Sequence, residues 1–438
     1  MRISSPRPSP RSTPSERSST PSPLGRTSTA AAARRPPEQA VTFTTAFHER
    51  LALPPQRLEE KKALMRESAS AFFRMMPALF HEDLRGSWRD ASRLLDRPAP
   101  RVPVVGDMHI GNLGTIRGPK GEAVWGLNDF DQATPGSPEV DLTRLAVSAA
   151  LTAREAGLEP KEQAKAVEAL ANAYWRELER LAGRGKNPGA FLSKKEAKGE
   201  VDDLIAKAQD ASPRDLLKEY TRTDSRGQVR FQSSDTLHPV SAETHKALRA
   251  ALVPYEVGLR GADGIARPLE VLDWAQRLDA GGSSYGLERY YALVRAKQPD
   301  APPVMLELKE LLAPSLARPP VPADGALVVK NQAGFGSNFN PLTGATTVSG
   351  RAFLVRELEP EKAKLDDKAL TSEKELLSAF TQAGVVLARA HGSTQARAAS
   401  LVKWVGEDSK EATRRLVSFA RGYADQVQAD WGASRTMK

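Results

Sequence analysis

The stretch VVGDMHIGN, residues 104–112, carries the strongest local signal for fold and chemistry in this chain. Its apolar start predicts a short β-strand over residues 101–105 that ends at a glycine. The polar side chains Asp107, His109 and Asn112 would then lie on the loop beyond the strand. Loops held by a rigid scaffold often carry catalytic groups. We therefore take this loop as the start of a candidate site.

A β-hairpin is predicted directly after the loop. Residues 113–116 and 123–127 form its arms and flank the turn sequence RGPKG. The second arm leads directly to Asp129, so pairing of the arms would return Asp129 to the neighbourhood of Asp107 and Asn112. Carboxylate and amide oxygens, completed by water and phosphate, are the ligands that Mg²⁺ prefers. The sequence therefore predicts a magnesium site here.

A glycine-rich segment far along the chain is a candidate for binding phosphate. Its candidate residues lie in one turn or on a strand that follows it: Gly281, Gly282, Ser283, Ser284, Gly286 and Lys309. A glycine-rich hairpin lets backbone N–H groups approach phosphate, and a lysine on a later strand neutralises its charge. An ordinary β-turn and a solvated strand lysine are the alternative interpretation.

Outside these segments, periodicity divides the chain into helical and β-rich parts. Apolar spacing predicts helices at 56–81, 141–156, 160–183, 201–219, 241–261 and 372–428. β-Branched and aromatic runs separated by turns predict a β-rich block from about 281 to 355. The predicted domains are a disordered tail (1–40), a helical part with the candidate loop (41–269), a β-rich part (270–360) and C-terminal helices that pack on the helical part (361–438).

The charge of the chain is concentrated in the predicted tail. The 438 residues carry a formal charge of +9, and residues 1–40, with seven Arg and two Glu, supply +5 of it. This segment is rich in Ser, Pro and Thr and has too few large apolar residues to offset its ordering entropy. A basic arm for an anionic partner is the alternative. The rest of the chain is nearly balanced and its six Trp are scattered, so no specific nucleic-acid binding is expected.

Several classes of protein are excluded by composition. The chain has no Cys, which excludes a disulfide scaffold and a cysteine nucleophile. No apolar run approaches the roughly 20 residues that span a bilayer, so we expect no membrane partner. The basic N-terminus lacks the apolar core of a secretory signal. We therefore expect a cytoplasmic location.

The candidate loop and hairpin resemble the catalytic core of kinase-like phosphotransferases, particularly the aminoglycoside and choline kinase branch. Those enzymes carry Gly-Asp-x-His-x-x-Asn, a short hairpin and an Asp-Phe-Gly-like metal motif, which residues 106–112 and 128–131 match except that Asp131 replaces the glycine. A Gly-x-Pro-x-x-Asp-Leu stretch follows at residues 136–142. The resemblance implies ATP and Mg²⁺ as cofactors.

The same resemblance implies a role for each residue of the loop. Asp107 would position and polarise the acceptor hydroxyl, with His109 as a brace of the catalytic loop rather than a metal ligand. Asn112 and Asp129 would hold magnesium against the ATP phosphates, and Asp131 is either a second metal ligand or a surface or capping carboxylate. By the same analogy Asp141 would be a structural brace that accepts backbone N–H groups.

A wider resemblance covers nearly the whole folded chain. Blocks in matching order and spacing are similar to the uncharacterised bacterial family called domain of unknown function 2252: SAFFR (70–74), residues 106–112, LNDFD (127–131), GSSYGLERY (282–290), LELKE (306–310), VREL (355–358) and LARAH (387–391). The family name states no activity. The kinase-like core is therefore the only basis for a function.

Together these patterns predict an α+β, protein-kinase-like fold with two lobes, circularly permuted because the glycine turn follows the candidate loop by more than 150 residues. Residues 41–100 would then be helices without a strand, and Lys309 would lie roughly 5–10 Å from Asp129 across the phosphates. The expected function is phosphate transfer from ATP to an unidentified hydroxyl or amine acceptor. Alternatives are a non-catalytic nucleotide- or partner-binding protein, a nucleotidyl transferase and a metallophosphoesterase.

Overall fold

The computed structural model describes residues 35–184, 186–259, 268–296, 298, 300–336 and 340–435. The fold is mixed α+β with several sheets. Its helices are α1 (Pro37–Leu51), α2 (Pro55–Arg66), α3 (Ala69–Met75), α4 (Pro77–Arg85), α5 (Pro138–Glu155), α6 (Pro160–Arg184), α7 (Glu200–Gln209), α8 (Pro213–Tyr220), α9 (Ala242–Gly258), α10 (Gly325–Gly334), α11 (Glu373–His391), α12 (Gln395–Val405) and α13 (Ser409–Ser434), with 3-10 turns at Ile110–Asn112 and Asp367–Ala369. Its strands are β1 (Val102–Val104), β2 (Leu113–Arg117), β3 (Ala123–Leu127), β4 (Thr134–Gly136), β5 (Phe191–Leu192), β6 (Thr221–Thr223), β7 (Val229–Phe231), β8 (Leu237–Pro239), β9 (Val271–Arg277), β10 (Arg289–Val294), β11 (Val304–Glu310), β12 (Gly344–Val348) and β13 (Arg351–Glu357).

The largest sheet is antiparallel and has six strands in the order β12-β13-β11-β10-β9-β8. Apolar side chains of this sheet and of α9 form a hydrophobic core separate from that of the helices. The domain boundary predicted at residue 270 falls between β8 and β9, which are neighbours in this sheet. Helix α10, inside the predicted β-rich block, was missed because its adjacent valines, Val328 and Val329, favour a strand and because glycines stand at both of its ends.

Helices α5, α6, α11, α12 and α13 form the main body of the molecule. Helix α11 lies directly against α6, where a Cβ on Gly384 would approach the carbonyl oxygen of Leu170 to 2.4 Å. Strand β1 and the β2–β3 hairpin lie beside these helices, and the hairpin pairs Leu113 with Leu127 as the sequence predicts. None of the described helices is long and apolar enough to cross a bilayer.

The N-terminal helices differ from the sequence prediction in how they are divided. The single helix predicted over 56–81 is three helices, α2 to α4, because the hydroxyl of Ser68 caps α3 and Pro77 begins α4. As predicted, residues 41–100 contain no strand.

The last residues of the predicted disordered tail, 1–40, belong to the folded structure. Residues 1–34 lie outside the described part of the chain, but residues 35–40 are ordered and lead into α1. Arg35 is buried, and its guanidinium lies 2.6 Å from carboxylate oxygens of both Asp83 and Asp430. These two ion pairs fix a segment that its composition predicted to be disordered.

Candidate active site

A cavity of about 340 Å³ lies between the loop that follows β1 and the strands β10, β11 and β13. It brings together most of the residues predicted from sequence: Asp107, His109, Asn112, Asp129, Gly281, Gly282, Ser283, Ser284 and Lys309. The remaining lining residues are mostly charged: Arg74, Asn128, Arg289, Glu307, Arg356, Leu358, Lys362 and Lys364. Asp131 and Gly286 do not line this cavity.

The backbone of the loop is held from one side by a buried polar chain. Asp141, near the start of α5, accepts hydrogen bonds from the N–H groups of Val105 (2.7 Å) and Gly106 (2.8 Å), so the predicted brace is confirmed. His391, the last residue of α11, lies 3.0 Å from the same carboxylate and 2.8 Å from the hydroxyl of Tyr174. The loop position is therefore determined by two helices of the main core.

A second histidine holds the loop from the other side. Nε2 of His81 lies 2.7 Å from the carbonyl oxygen of Gly106, and its Nδ1 lies 2.7 Å from the hydroxyl of Ser315. Burial lowers the pKa of His81 to about 3, so the ring is neutral. Because a carbonyl only accepts, Nε2 carries the proton and Nδ1 accepts from Ser315. Gly106 itself has φ +80°, and a Cβ there would lie 2.4 Å from the carbonyl oxygen of Gln132.

The carboxylate of Asp107 is fixed by an arginine that the sequence did not indicate. Arg144 is fully buried and places Nε 2.7 Å and Nη2 2.5 Å from Oδ1 of Asp107. Its guanidinium also stacks over the rings of Phe73 (4.2 Å) and Phe80 (5.1 Å). Burial raises the pKa of Asp107, although the charge of Arg144 opposes this. Among the described residues no hydrogen bond reaches Oδ2, which leaves that oxygen for a ligand.

Asn112 and His109 complete the loop. The amide nitrogen of Asn112 donates to the carbonyl oxygen of Asp107 at 2.7 Å, which leaves its amide oxygen for another partner. The ring of His109 lies 3.9 Å from Oδ1 of Asp107, and its Nδ1 has no hydrogen-bond partner among the described residues. Burial, followed by the charges of Arg74 and Arg144, lowers the pKa of His109 well below its usual value, so this histidine is neutral.

Lys309 joins the sheet to the end of the hairpin. Its Nζ lies 3.2 Å from Asp129 and 2.6 Å from Asp131. The lysine is therefore within reach of Asp129, and its ammonium pairs directly with both carboxylates at distances shorter than the 5–10 Å predicted across bound phosphates. Burial would raise the pKa of Asp129, but the charges of Lys309, Lys364 and Arg356 hold it far below its usual value.

Asp131 behaves differently from its neighbour. Burial and the negative charge of Asp129 raise the pKa of Asp131 to about 6. Its side chain is only 15% exposed and is paired with Lys309, so it is neither a surface carboxylate nor a lining residue of the cavity.

The glycine turn connects β9 to β10 and is anchored by a lysine of α2. Lys61, fully buried on α2, donates from Nζ to the carbonyl oxygens of Ser283 (2.6 Å) and Tyr285 (3.2 Å). Burial lowers the pKa of Lys61 to about 7. Gly286 lies away from the cavity with φ +89°, where a Cβ would lie 2.8 Å from Leu53. The turn therefore lines the cavity through residues 281–284 alone.

A charged network on the sheet was missed by sequence analysis. Glu307 is buried between Arg289 (2.5 Å) and Arg356 (2.6 Å). Alternation along β11 places Glu307 on the same face as Lys309, and this period of two was the signal available in the sequence. Arg356, which sequence analysis left without a role, lines the cavity and contacts the carbonyl oxygen of Asn128 at 3.4 Å.

The donor atoms at the cavity suit a hard cation only in combination with other oxygens. Within the described part of the chain, no three His, Asp or Glu side chains come together as a ligand group for a metal ion. Mg²⁺ commonly uses one or two carboxylates together with waters and phosphate oxygens. Asp129 and the amide oxygen of Asn112 match that pattern. The amide of Asn128, buried at the cavity wall, also lacks a hydrogen-bond partner among the described residues.

The fold and site thus define an α+β protein with a charged cavity built on a braced loop. The chain belongs to the family described as uncharacterized protein conserved in bacteria (DUF2252), whose family model matches residues 53–436. No curated protein and no solved structure matches the chain.

Proposed function

We propose that this protein is a kinase-like phosphotransferase that uses ATP and Mg²⁺ to phosphorylate a hydroxyl or amine acceptor. The observation that carries the proposal is the meeting of Lys309 with Asp129, 180 residues apart in sequence, at a cavity that Asp107, Asn112 and residues 281–284 also line. Phosphoryl transfer needs these parts: a glycine-rich turn over the phosphates, a lysine, an oxygen-ligand set and a carboxylate that faces the acceptor.

The topology of the sheet supports a permuted nucleotide lobe. The glycine turn joins β9 to β10, and Lys309 lies on the next strand, β11, as in protein kinases, where the lysine lies on the third strand. We therefore propose a fold of two lobes that is circularly permuted, because the strands of the nucleotide lobe follow the catalytic loop in sequence. One departure is that α10, the helix after β11, has no acidic residue to pair with the lysine, and Asp129 and Asp131 take that place.

Each residue has a distinct task in the proposed reaction. Asp129 and the amide oxygen of Asn112 would hold magnesium, which when bound neutralises charge on the phosphates. Lys309 and the N–H groups of the turn would bind phosphate oxygens. Asp107, held at Oδ1 by Arg144, would accept a hydrogen bond from the acceptor hydroxyl at Oδ2 and orient it.

Thermal-shift titration with ATP and magnesium tests the proposal. A ligand that binds only the folded state raises the melting temperature by mass action, so Mg-ATP should stabilise the protein and ATP with EDTA should stabilise it much less. An absence of stabilisation by several millimolar Mg-ATP would overturn the proposal. Binding without phosphate transfer to any compound in a metabolite extract would instead support a non-catalytic nucleotide-binding protein.

A further inference from the structure

Two cations from different elements reach the cavity that Asp107 lines. Arg74 is on α3, and Lys364 follows β13 in a segment that bridges to Gly114 of β2. Both line the cavity. A Cβ on Gly111 would lie 3.4 Å from the guanidinium carbon of Arg74, so the glycine of the loop leaves room for this side chain.

The cavity contains more positive than negative side chains. Its lining includes six cations (Arg74, Arg289, Lys309, Arg356, Lys362, Lys364) and three carboxylates (Asp107, Asp129, Glu307). Each of the three carboxylates already has a cationic partner within 3.2 Å. By contrast, no ion pair or hydrogen bond within the described chain reaches the Nζ atom of Lys362 or Lys364.

The excess of positive side chains in the cavity costs free energy unless an anion is bound. Like charges held close together repel, and burial, followed by the charges of Lys309, Arg74 and Arg356, lowers the pKa of Lys364 despite the opposing effect of Asp129. A cavity with one sign of charge attracts ligands of the opposite sign. An acceptor with a positive amine would find no unpaired carboxylate here.

We propose that the acceptor is an anionic hydroxyl compound whose phosphate or carboxylate group binds to Arg74 and Lys364. This inference rests on the proposed function, and it distinguishes the site from that of enzymes with cationic acceptors, such as aminoglycosides and choline. In the reaction, the bond from the γ-phosphorus to the ADP oxygen breaks as a bond from the acceptor oxygen forms. The hydroxyl proton passes to Asp107 and then to water, and ADP leaves.

Calorimetric titration of the full chain saturated with Mg²⁺ and a non-hydrolysable ATP analogue tests this inference. The probes are glycerol 3-phosphate and inorganic phosphate, with glycerol and choline as matched uncharged and cationic compounds. We expect the two anions to bind and the other two not to bind. Arg74→Gln and Lys364→Gln should each weaken phosphate binding by tenfold or more, since each removes a charged hydrogen bond. Arg74→Lys should recover part of the affinity, and Lys374→Gln, at an exposed position on α11, should change nothing.

The outcomes separate this inference from the proposed function. Anion binding that depends on Arg74 and Lys364, without binding of the nucleotide analogue, would refute the kinase proposal and keep the anion site. Nucleotide binding with choline bound in preference to the anions would overturn the anion site alone. The anion site would also be overturned if the Gln variants weaken nucleotide binding and leave phosphate binding unchanged. Arg74 and Lys364 would then bind the nucleotide and not the acceptor. Melting temperatures of the ligand-free variants identify any that do not fold, and Arg74→Lys then decides the result.

Discussion

Removal of the Asp107 carboxylate should cost stability as well as activity. In wild-type protein, Oδ1 of Asp107 accepts hydrogen bonds from both Nε and Nη2 of Arg144. The Asp107→Ala variant removes this carboxylate and leaves the guanidinium fully buried without a charged partner. Breaking a buried ion pair by deleting one partner typically costs about 3–5 kcal/mol. Arg144 keeps its hydrogen bond to the carbonyl oxygen of Phe73 (3.0 Å) and its stacking on two phenylalanine rings. We therefore expect the lower end of that range, about 3 kcal/mol.

Urea denaturation and a second substitution measure this cost. Asp107→Ala should lower the free energy of unfolding by about 3 kcal/mol. Adding Arg144→Met, which removes the buried charge and keeps an apolar side chain, should restore part of it. The control is Asp96→Ala, which breaks a bidentate but exposed pair with Arg415 (2.6 and 2.9 Å) and should cost much less than Asp107→Ala.

Two results would refute this reasoning. One is a loss for Asp107→Ala no larger than that for Asp96→Ala. The other is additivity of Asp107→Ala and Arg144→Met, because residues that interact directly are expected to be coupled. In either case Arg144 would not be the group that holds Asp107. With the pair as described, Asp107→Asn is the better variant for kinetics, since its amide oxygen still accepts from Arg144, and it should abolish transfer with nucleotide affinity largely unchanged.

Three further predictions concern the elements around Asp107. Asp129→Ala should raise the Kd of Mg-ATP at least tenfold in calorimetry, since it removes a proposed magnesium ligand, and an unchanged Kd would refute that role. Lys61→Met should lower the melting temperature and weaken Mg-ATP binding because residues 283–285 lose their anchor, whereas equal affinity in a folded variant would show that the turn does not bind phosphate. Because burial keeps His81 neutral, the unfolded chain binds a proton below about pH 6.5 that the folded chain does not, so stability should fall by up to about 1.4 kcal/mol per pH unit from pH 6.5 toward 3. His81→Gln should flatten this dependence in urea titrations at several pH values, and an unchanged slope would contradict the assignment.

The parts of the site that could be predicted from sequence are those that depend on local pairing. The β2–β3 hairpin follows from two apolar arms and a Gly-Pro turn, and its register determines that Asn112 and Asn128 become neighbours, joined by a 3.2 Å backbone hydrogen bond. Strand β11 could be predicted because apolar and charged residues alternate from Leu306 to Lys309. Ser68 and Pro77 carried signals for the breaks between α2, α3 and α4, and these signals were outweighed by the apolar spacing across them.

The parts that could not be predicted depend on contacts between distant segments. Arg144 lies in a helix whose residues are buried on nearly every side, so its position within α5 gives no indication of a partner 37 residues earlier. Lys61 has the spacing of an ordinary surface lysine on a polar helix, and only the structure shows its Nζ beneath the glycine turn. The same holds for Arg35, whose partner Asp430 lies 395 residues away.

The buried polar groups behind the loop are the strongest physical argument that the cavity has a function. Asp141, His391 and Tyr174 form one fully buried chain to the loop backbone, and His81 holds Gly106 from the opposite side. Taking such groups out of water is costly, and well-packed apolar side chains of similar volume are often equally stable. Stability alone therefore does not account for them. Their common effect is to fix the backbone on both sides of Gly106, immediately before Asp107, while Arg144 fixes its carboxylate. A group that must meet a reacting atom with precise geometry requires such rigidity.

We therefore expect substitutions such as Tyr174→Phe, which removes one hydrogen bond behind His391, to lower the transfer rate more than they lower nucleotide affinity. Parallel kinetic and calorimetric titrations measure the two, and equal losses in both would argue for a purely structural role of this chain.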